Sequence, residues 1–322
     1  MPEPRAHQAH DARPAATAQG APRADTAGRA ALFVVAASAA FATSGPLARL
    51  ARPVHPISIA FGRVALAALL LCALDARGIA RGLAGLSGRR RAGIFGAGVL
   101  LAAHFALFLW GLDRTSLPAA VSLVSLEPLS VVLCSWLIFG IRPTRLEQVG
   151  VFLATAGAVL IAEGAGTGEH RLDGDLLVVG AVVLYGFYVA AARGLRDALP
   201  ARSSAALVYL SAALALAAAL PLTPGALDGL SPPPTRAALA ITALALIPTV
   251  LGHTAVQAAA RWMSPSIVAL VSPGETLGGI AIGAALLGAV PTSTEIAGAA
   301  IILGGSTVAV LGARRPPPPS PS

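Results

Sequence analysis

A long apolar segment with one charge near its middle restricts the folds open to this chain more than any other feature. Between Arg114 and Arg142 the only charged residue is Glu127, and the rest is mainly Leu, Val, Ala, Ser, Ile and Phe. At a rise of about 1.5 Å per residue, a helix of this length crosses a hydrocarbon layer of about 30 Å. The segment therefore predicts a membrane-spanning helix with a carboxyl group near the midplane.

The composition extends this prediction to the whole chain. Of its 322 residues, 56% are hydrophobic and 12% are charged, whereas soluble domains carry about 25% charged residues. Apolar runs bounded by charged residues, proline or glycine predict ten spans. These are residues 30–48, 56–74, 92–112, 117–140, 145–162, 175–192, 203–222, 237–259, 265–288 and 295–312. The predicted fold class is an all-α polytopic membrane protein.

The positions of the basic residues predict the orientation in the membrane. All 23 basic residues are arginine, and with the amino terminus inside, most of them fall in inner segments, among them Arg89, Arg90 and Arg91. Cytoplasmic loops retain positive charge, so both termini are predicted to be cytoplasmic in a multi-pass protein of the plasma (inner) membrane. The excess of arginine in cytoplasmic segments therefore explains the net charge of +8, and no nucleic-acid partner is expected.

The two ends of the chain lie outside the spans. Residues 1–28 are rich in alanine, proline and arginine, and residues 313–322 are rich in proline. Residues 1–28 also lack the continuous apolar core of a signal peptide. Both ends are therefore predicted to be disordered tails.

An internal repeat relates the two halves of the chain. Glutamates, prolines and glycines recur at a shift of 148 residues. The pairs at this shift are Glu127 and Glu275, Pro143 and Pro291, Glu147 and Glu295, Gly150 and Gly298, and Gly157 and Gly305. Residues 29–162 therefore repeat as residues 174–312, with five spans in each. An odd number of spans inserts the second repeat upside down, as in secondary transporters whose substrate sites lie near the midplane.

Several local motifs carry a family resemblance. They are Phe61-Gly62-Arg63, the small residues and prolines of 118–128, the Arg-Pro-Thr-Arg-Leu-Glu of 142–147, and the spacing around Tyr185 and Tyr188. With the duplicated five-span unit, the chain resembles the ten-helix EamA-type branch of the drug/metabolite transporter superfamily. The resemblance implies a gradient-driven carrier, usually an exporter of small metabolites, with a cavity lined by spans one, three, four, six, eight and nine.

Away from the ends of the predicted spans, three formal charges remain: Arg63, Glu127 and Glu275. Each costs about 2.5–3.5 kcal/mol at a helix centre, so the two matched carboxyls predict a function. They are candidates for binding a proton in one orientation and releasing it in another, or for pairing with a substrate ammonium. The alternative is a protonated carboxyl that is hydrogen-bonded within the bundle, with Ser130 and Ser272 about one turn away as partners.

Helix-breaking residues accompany both carboxyls. Pro128 follows Glu127 directly, and Pro273-Gly274 precedes Glu275. Each proline removes an amide donor and frees a carbonyl one turn back, which a membrane tolerates only against protein or a wet cavity. We expect irregular helix at both places, with structural kinking alone as the alternative to a functional role.

The remaining candidates are polar or aromatic residues in the spans. Arg63 either extends to the membrane interface or pairs with a carboxylate of the cavity or substrate. His104 and His253 correspond in the two repeats and are candidate proton relays, or else hydrogen-bonded packing residues. The other candidate site residues are Ser125, Ser272, Gln257, Tyr185 and Tyr188.

These features together predict a secondary active transporter that exports amino acids, amines or drugs by alternating access. Its expected partners are a small-molecule substrate and membrane lipid, and H⁺ is a candidate coupling ion. No phosphate-binding, dinucleotide, nucleophile or metal-ligand motif occurs, so neither enzyme activity nor a cofactor or metal is expected. Two alternatives stay open: an intramembrane enzyme acting on lipid-linked substrates, and a non-transporting sensor with a sealed core. The substrate, the coupling ion, the direction and the oligomeric state also stay open.

Overall fold

The computed structural model describes residues 24–140, 142–165, 168–193, 199–252, 255 and 271–312, and every regular element in these ranges is helical. In chain order the α-helices are α1 Ala24–Ala42, α2 Ser44–Leu50, α3 Pro56–Leu74, α4 Ala76–Gly85, α5 Gly88–Arg114, α6 Leu117–Val124, α7 Glu127–Phe139, α8 Arg145–Glu163, α9 Leu172–Arg193, α10 Ala201–Ala219, α11 Thr235–Leu244, α12 Val271–Leu287 and α13 Ser293–Gly312.

The number of apolar helices fits the ten predicted spans. Within the described ranges, nine helical segments are long and apolar enough to cross a membrane, and α12 is a shorter apolar helix. The ninth predicted span, 265–288, begins outside these ranges. Helix α1 starts at Ala24, within the predicted tail 1–28, while the rest of that tail and the tail 313–322 lie outside the described residues.

The fourth span, predicted as one helix over 117–140, is two helices. Helix α6 ends at Val124 and α7 begins at Glu127. Between them the amide of Leu126 donates to the carbonyl of Leu123 at 3.0 Å, a tighter i→i−3 pattern that ends the α-helix. Pro128 is then the second residue of α7, where its missing amide donor costs little. The chain breaks before the proline and the carboxyl stands at the start of the new helix.

The eighth span changes its winding at mid-length. Helix α11 passes into a π-helix at Ala245–Gly252, with Pro248 inside it. Such wide turns release carbonyl groups from the regular ladder, and they frequently occur at functional sites. Here the release places the buried Thr249 side chain against the second span, as described below.

Helices α8 and α13, the fifth span of each repeat, cross through a reciprocal glycine contact. A Cβ atom on Gly150 would lie 2.5 Å from the Gly305 carbonyl oxygen, and one on Gly157 would lie 2.7 Å from that of Gly298. By the 148-residue shift, Gly150 corresponds to Gly298 and Gly157 to Gly305. Each glycine therefore meets the counterpart of the other, which is the contact expected of two repeats related by a pseudo-two-fold axis.

Side chains from several connections meet at one end of the bundle, which also carries residues 164–165 and 168–171 between the two repeats. We call it the interrepeat end. The contacts that define it are Arg49 with Glu169, Arg52 with Asp113, Arg114 with Asp173, and Ser116 with Glu295. These pairs join the first, third, fifth and ninth connections, as an inverted repeat of five spans requires.

Candidate functional site

The two duplicated carboxyls interact with each other in the structure. Glu127 is the first residue of α7, Glu275 lies early in α12, and the Glu275 carboxyl acts electrostatically on that of Glu127. Both residues are partly buried. Among the described residues, the hydrogen bonds found include none to either carboxylate.

The serines near the carboxyls do not bind them. The Ser130 hydroxyl donates to the backbone carbonyl of Glu127 at 2.8 Å rather than to the carboxylate. Ser272 Oγ is buried, and it has no hydrogen-bond partner among the described residues. The alternative in which these serines satisfy the two carboxyls is therefore wrong. A buried hydroxyl without a partner is costly, so Ser272 is a further polar group next to Glu275 that is available to a ligand.

Arg63 is held inside the bundle rather than extended toward an interface. It is 3% exposed, its Nε donates to Thr249 Oγ1 at 2.7 Å, and its Nη1 donates to Ser44 Oγ at 3.3 Å. The guanidinium stacks on Phe105, 4.1 Å from the ring centroid. It also interacts electrostatically with Glu275. Arg63 therefore supplies a fixed positive charge beside one of the two carboxyls.

All three tyrosines of the chain lie in this region. Tyr185 interacts electrostatically with both glutamates and stands 6.0 Å from Tyr188 between ring centroids. Tyr209, which sequence reasoning missed, is 3% exposed and donates to the Thr249 carbonyl at 3.2 Å. The available signal was a tyrosine in the middle of an otherwise apolar seventh span. These rings give the site an aromatic wall with polar tips.

His104 is close to this wall but is already hydrogen-bonded. Its Nδ1 lies 2.9 Å from the Ala181 carbonyl oxygen, a contact in which the ring nitrogen must be the donor. Its ring packs against Phe105, Phe108 and Tyr185. This geometry favours the packing role over the proton relay. Its counterpart His253 lies outside the described residues, as does Gln257.

Ser125 joins helices instead of lining the carboxyl pair. It is fully buried, its hydroxyl is hydrogen-bonded to that of Thr276, and its carbonyl accepts from Ser306 Oγ at 2.6 Å. The break in the fourth span is thus tied to α12 and α13. The carbonyl exposed by the break has a protein partner, as the membrane interior demands.

Gly274 allows a close approach of α1 to α12. A Cβ atom at this position would lie 2.5 Å from Ser38 Oγ, and Ser38 Oγ donates to the Val271 carbonyl at 3.3 Å. Pro273 sits beside it near the start of the described part of α12. Within Val271–Leu287 the helix is continuous, so the irregularity expected beside Glu275 does not occur in this range.

A cavity of about 610 Å³ opens at the interrepeat end. Its polar lining comes from Arg52, His55, Asp113, Asp228 and Ser231, and its rim includes Pro232, Pro233 and Pro234. It lies between the first and seventh connections, apart from the carboxyl pair. Within the described residues, no group of three or more His, Cys, Asp and Glu side chains is placed to hold a metal ion.

The comparisons with known proteins agree with the repeat. The sequence model described as the EamA-like transporter family matches residues 28–162 and again residues 172–311. A crystal structure described only as that of a protein is similar in fold, with a TM-score of 0.59 and 20% sequence identity, over 89% of this chain and 98% of the other. No curated protein matches the chain significantly.

Proposed function

The chain belongs to the EamA-like transporter family, and from that membership we propose that it exports small organic metabolites by alternating access with H⁺ as the coupling ion. The membership and the apolar helices establish a multi-pass membrane transporter of the drug/metabolite type. The direction, the substrate and the ion are the proposal.

One observation carries the proposal: the repeat-related carboxyls Glu127 and Glu275 interact electrostatically, on helices from different repeats, and no hydrogen bond to either is found among the described residues. Two carboxylates repel each other in a medium of low dielectric constant, so such a pair favours holding a proton. If the repeats rock relative to each other, the distance between the two groups changes and so does their hold on that proton. A transport cycle of this kind couples proton movement to the movement of the repeats.

The surroundings of the pair suggest what the substrate offers. Tyr185, Tyr188 and Phe105 present aromatic surface, and the carboxyls would pair with an ammonium group. Because the Arg63 guanidinium already donates hydrogen bonds to Thr249 and Ser44, it is less available to bind an anionic group of the substrate. Among amino acids, amines and drugs, the site therefore favours substrates with a protonated amine and an apolar body.

The first experiment finds the substrate. Purified protein is heated with members of a panel of amino acids, amines, nucleosides and drugs, because a ligand that binds only the folded state raises the melting temperature. The expected ligands are amines with an apolar portion. A panel in which only anionic compounds stabilise the protein would contradict the assignment of the carboxyl pair to substrate binding.

The second experiment tests the coupling. In proteoliposomes with an imposed pH gradient, Glu127→Gln and Glu275→Gln should each abolish substrate movement driven by the gradient. Glu163→Gln is the matched control, since Glu163 is an exposed carboxyl at the end of α8, and it should transport as wild type does. Undiminished pH-driven transport in both central variants would overturn the coupling role. Binding without transport in the wild type would favour the sensor alternative.

A further inference from the structure

A second group of buried ionisable side chains lies at the interrepeat end, away from Glu127 and Glu275. His170 is placed between two carboxylates: its Nε2 lies 2.7 Å from Asp175 Oδ2 and its Nδ1 lies 3.8 Å from Glu295 Oε1. The three residues are only 3%, 3% and 2% exposed. None of them belongs to the central site, and His170 lies in the connection between the repeats.

Both carboxylates are anchored by other parts of the bundle. Asp175, in the first turn of α9, also accepts a hydrogen bond from Thr115 Oγ1 at 2.6 Å. Glu295, in the first turn of α13, accepts one from the Thr292 amide at 2.7 Å and another from Ser116 Oγ. The histidine therefore stands where the start of the second repeat, the last span and the third-to-fourth connection meet.

The charge on His170 decides how well this arrangement holds together. A neutral imidazole has one N–H group and can donate to only one carboxylate, whereas an imidazolium has two and can donate to both. Two buried carboxylates beside a neutral ring leave repulsion uncompensated, and a positive ring relieves it. The contacts of His170 with Asp175 and Glu295 are consequently strengthened when the ring is protonated.

The other charged groups of this end are paired with different acids. Arg49 Nη1 contacts Glu169 at 2.5 Å, and its Nη2 donates to the Thr115 carbonyl. Arg114 and Arg171 both contact Asp173, at 2.8 and 3.0 Å. On the α8 side the ring faces Gly164, where a Cβ atom would lie 3.6 Å from the imidazole. Among the described residues, Arg49, Arg114 and Arg171 are thus engaged by other acids, and His170 is the titratable base that faces Asp175 and Glu295.

We propose that His170, Asp175 and Glu295 form a proton-binding site, separate from the central carboxyl pair, whose protonation holds α9, α13 and the third-to-fourth connection together. The ligand is a proton and not a metal ion, because the two ring nitrogens point to opposite carboxylates, so the ligand atoms do not converge on one point. Alternating access requires this end to open at some stage, which moves α9 and α13 apart from the third-to-fourth connection. Acid on this side of the membrane would therefore slow that step.

Hydrogen exchange of the purified full-length protein in lipid nanodiscs tests the proposal. Exchange of peptides covering residues 164–176 is measured at about pH 5 and about pH 8, the range in which histidines change charge, and corrected with an unstructured reference peptide. In the wild type, acidification should slow the corrected exchange by up to about tenfold per pH unit, the limit for one proton bound only by the closed state.

Variants assign the effect to the histidine. His170→Gln should remove the pH dependence, and His170→Asn repeats this test with a smaller neutral side chain. His55→Gln is the matched control, a histidine of the same end whose ring contacts Trp110, and it should keep the wild-type dependence. Equal protection at both pH values in the wild type, or an undiminished pH dependence in the His170 variants, would overturn the proposal. The readout involves no substrate, so it stands apart from the test of the central pair.

Discussion

Two pairs of glutamates occupy matching positions in the two repeats, and the two pairs differ in the hydrogen bonds that their carboxylates accept. Glu127 and Glu275 interact electrostatically, without hydrogen-bond donors among the described residues. Glu147 and Glu295 stand at the starts of α8 and α13, and each closes a capping box. In the first box the Thr144 amide donates to Glu147 at 2.6 Å, and in the second the Thr292 amide donates to Glu295 at 2.7 Å.

This difference shows that duplication alone does not identify a functional residue. Both pairs obey the same shift of 148 residues, yet the capping pair serves helix formation, because its carboxylates satisfy amides that a helix start leaves unpaired. The central pair caps no such amides. Duplication alone therefore does not place an acid in the central site, and the following predictions examine the difference between the two pairs.

The largest loss of stability is expected for Glu295→Ala. The substitution leaves the Thr292 amide and Ser116 Oγ without their acceptor in a buried place and removes the carboxylate 3.8 Å from His170 Nδ1, and each buried donor left unpaired costs about 1–3 kcal/mol. The melting temperature of the purified protein should fall markedly. Glu295→Gln keeps an acceptor oxygen and should fall less. A melting temperature of Glu295→Ala equal to that of the wild type would contradict the structural role of Glu295.

A smaller loss is expected for Glu147→Ala at the other capping box. Here the main effect is the lost bond to the Thr144 amide, and loss of a helix cap costs about 0.5–2 kcal/mol. Thermal unfolding of the single and double variants with Thr144→Ala measures it. If the two residues act as one box, the double variant should lose less than the sum of the single losses.

A still smaller effect concerns the exposed acid Glu169, which has no counterpart in the repeat. Its hydrogen bond to Arg49 lowers the pKa of Glu169 below the ordinary value. A lowered pKa in the folded state means that the pair stabilises the protein above about pH 4 and that this contribution is lost as the pH falls further. Melting temperatures between about pH 3 and pH 6 should show a slightly weaker acid dependence in Glu169→Gln than in wild type.

The smallest stability effect is expected at the central pair itself. Glu127→Gln and Glu275→Gln break no hydrogen bond found among the described residues. Glu127→Gln removes only a repulsion, so its melting temperature should equal or exceed that of the wild type. Glu275→Gln also removes the attraction to Arg63 and should lower the melting temperature slightly. Transport is expected to be lost in both. A marked drop in melting temperature would place the central glutamates with the capping ones, and the comparison between the two pairs would fail.

Much of the fold follows from short-range patterns in the sequence. Apolar runs predict the spans, because each run is a property of one chain segment. The constant shift of 148 residues, seen for example between Glu127 and Glu275, predicts the inverted repeat, because it is a property of two aligned segments. The contacts that complete the site join residues far apart with no common pattern, such as Arg63 with Thr249 and Tyr209 with the same residue. The position of the helix break at Ser125 likewise depends on partners in α12 and α13.

The crossing of α8 and α13 has a consequence for anyone who alters this protein. A Cβ atom on Gly150 would meet the Gly305 carbonyl oxygen at 2.5 Å and the Ala309 amide nitrogen at 2.6 Å, and one on Gly157 would meet the Gly298 carbonyl oxygen at 2.7 Å and the Ile302 amide nitrogen at 2.9 Å. A side chain introduced at either position meets backbone, and backbone has no smaller replacement. A steric clash between two side chains can be relieved by a smaller neighbouring residue, but no substitution on α13 removes a clash with its backbone. The four glycines therefore form two contacts, Gly150 with Gly305 and Gly157 with Gly298. A redesign must keep both glycines of each contact or move a whole helix.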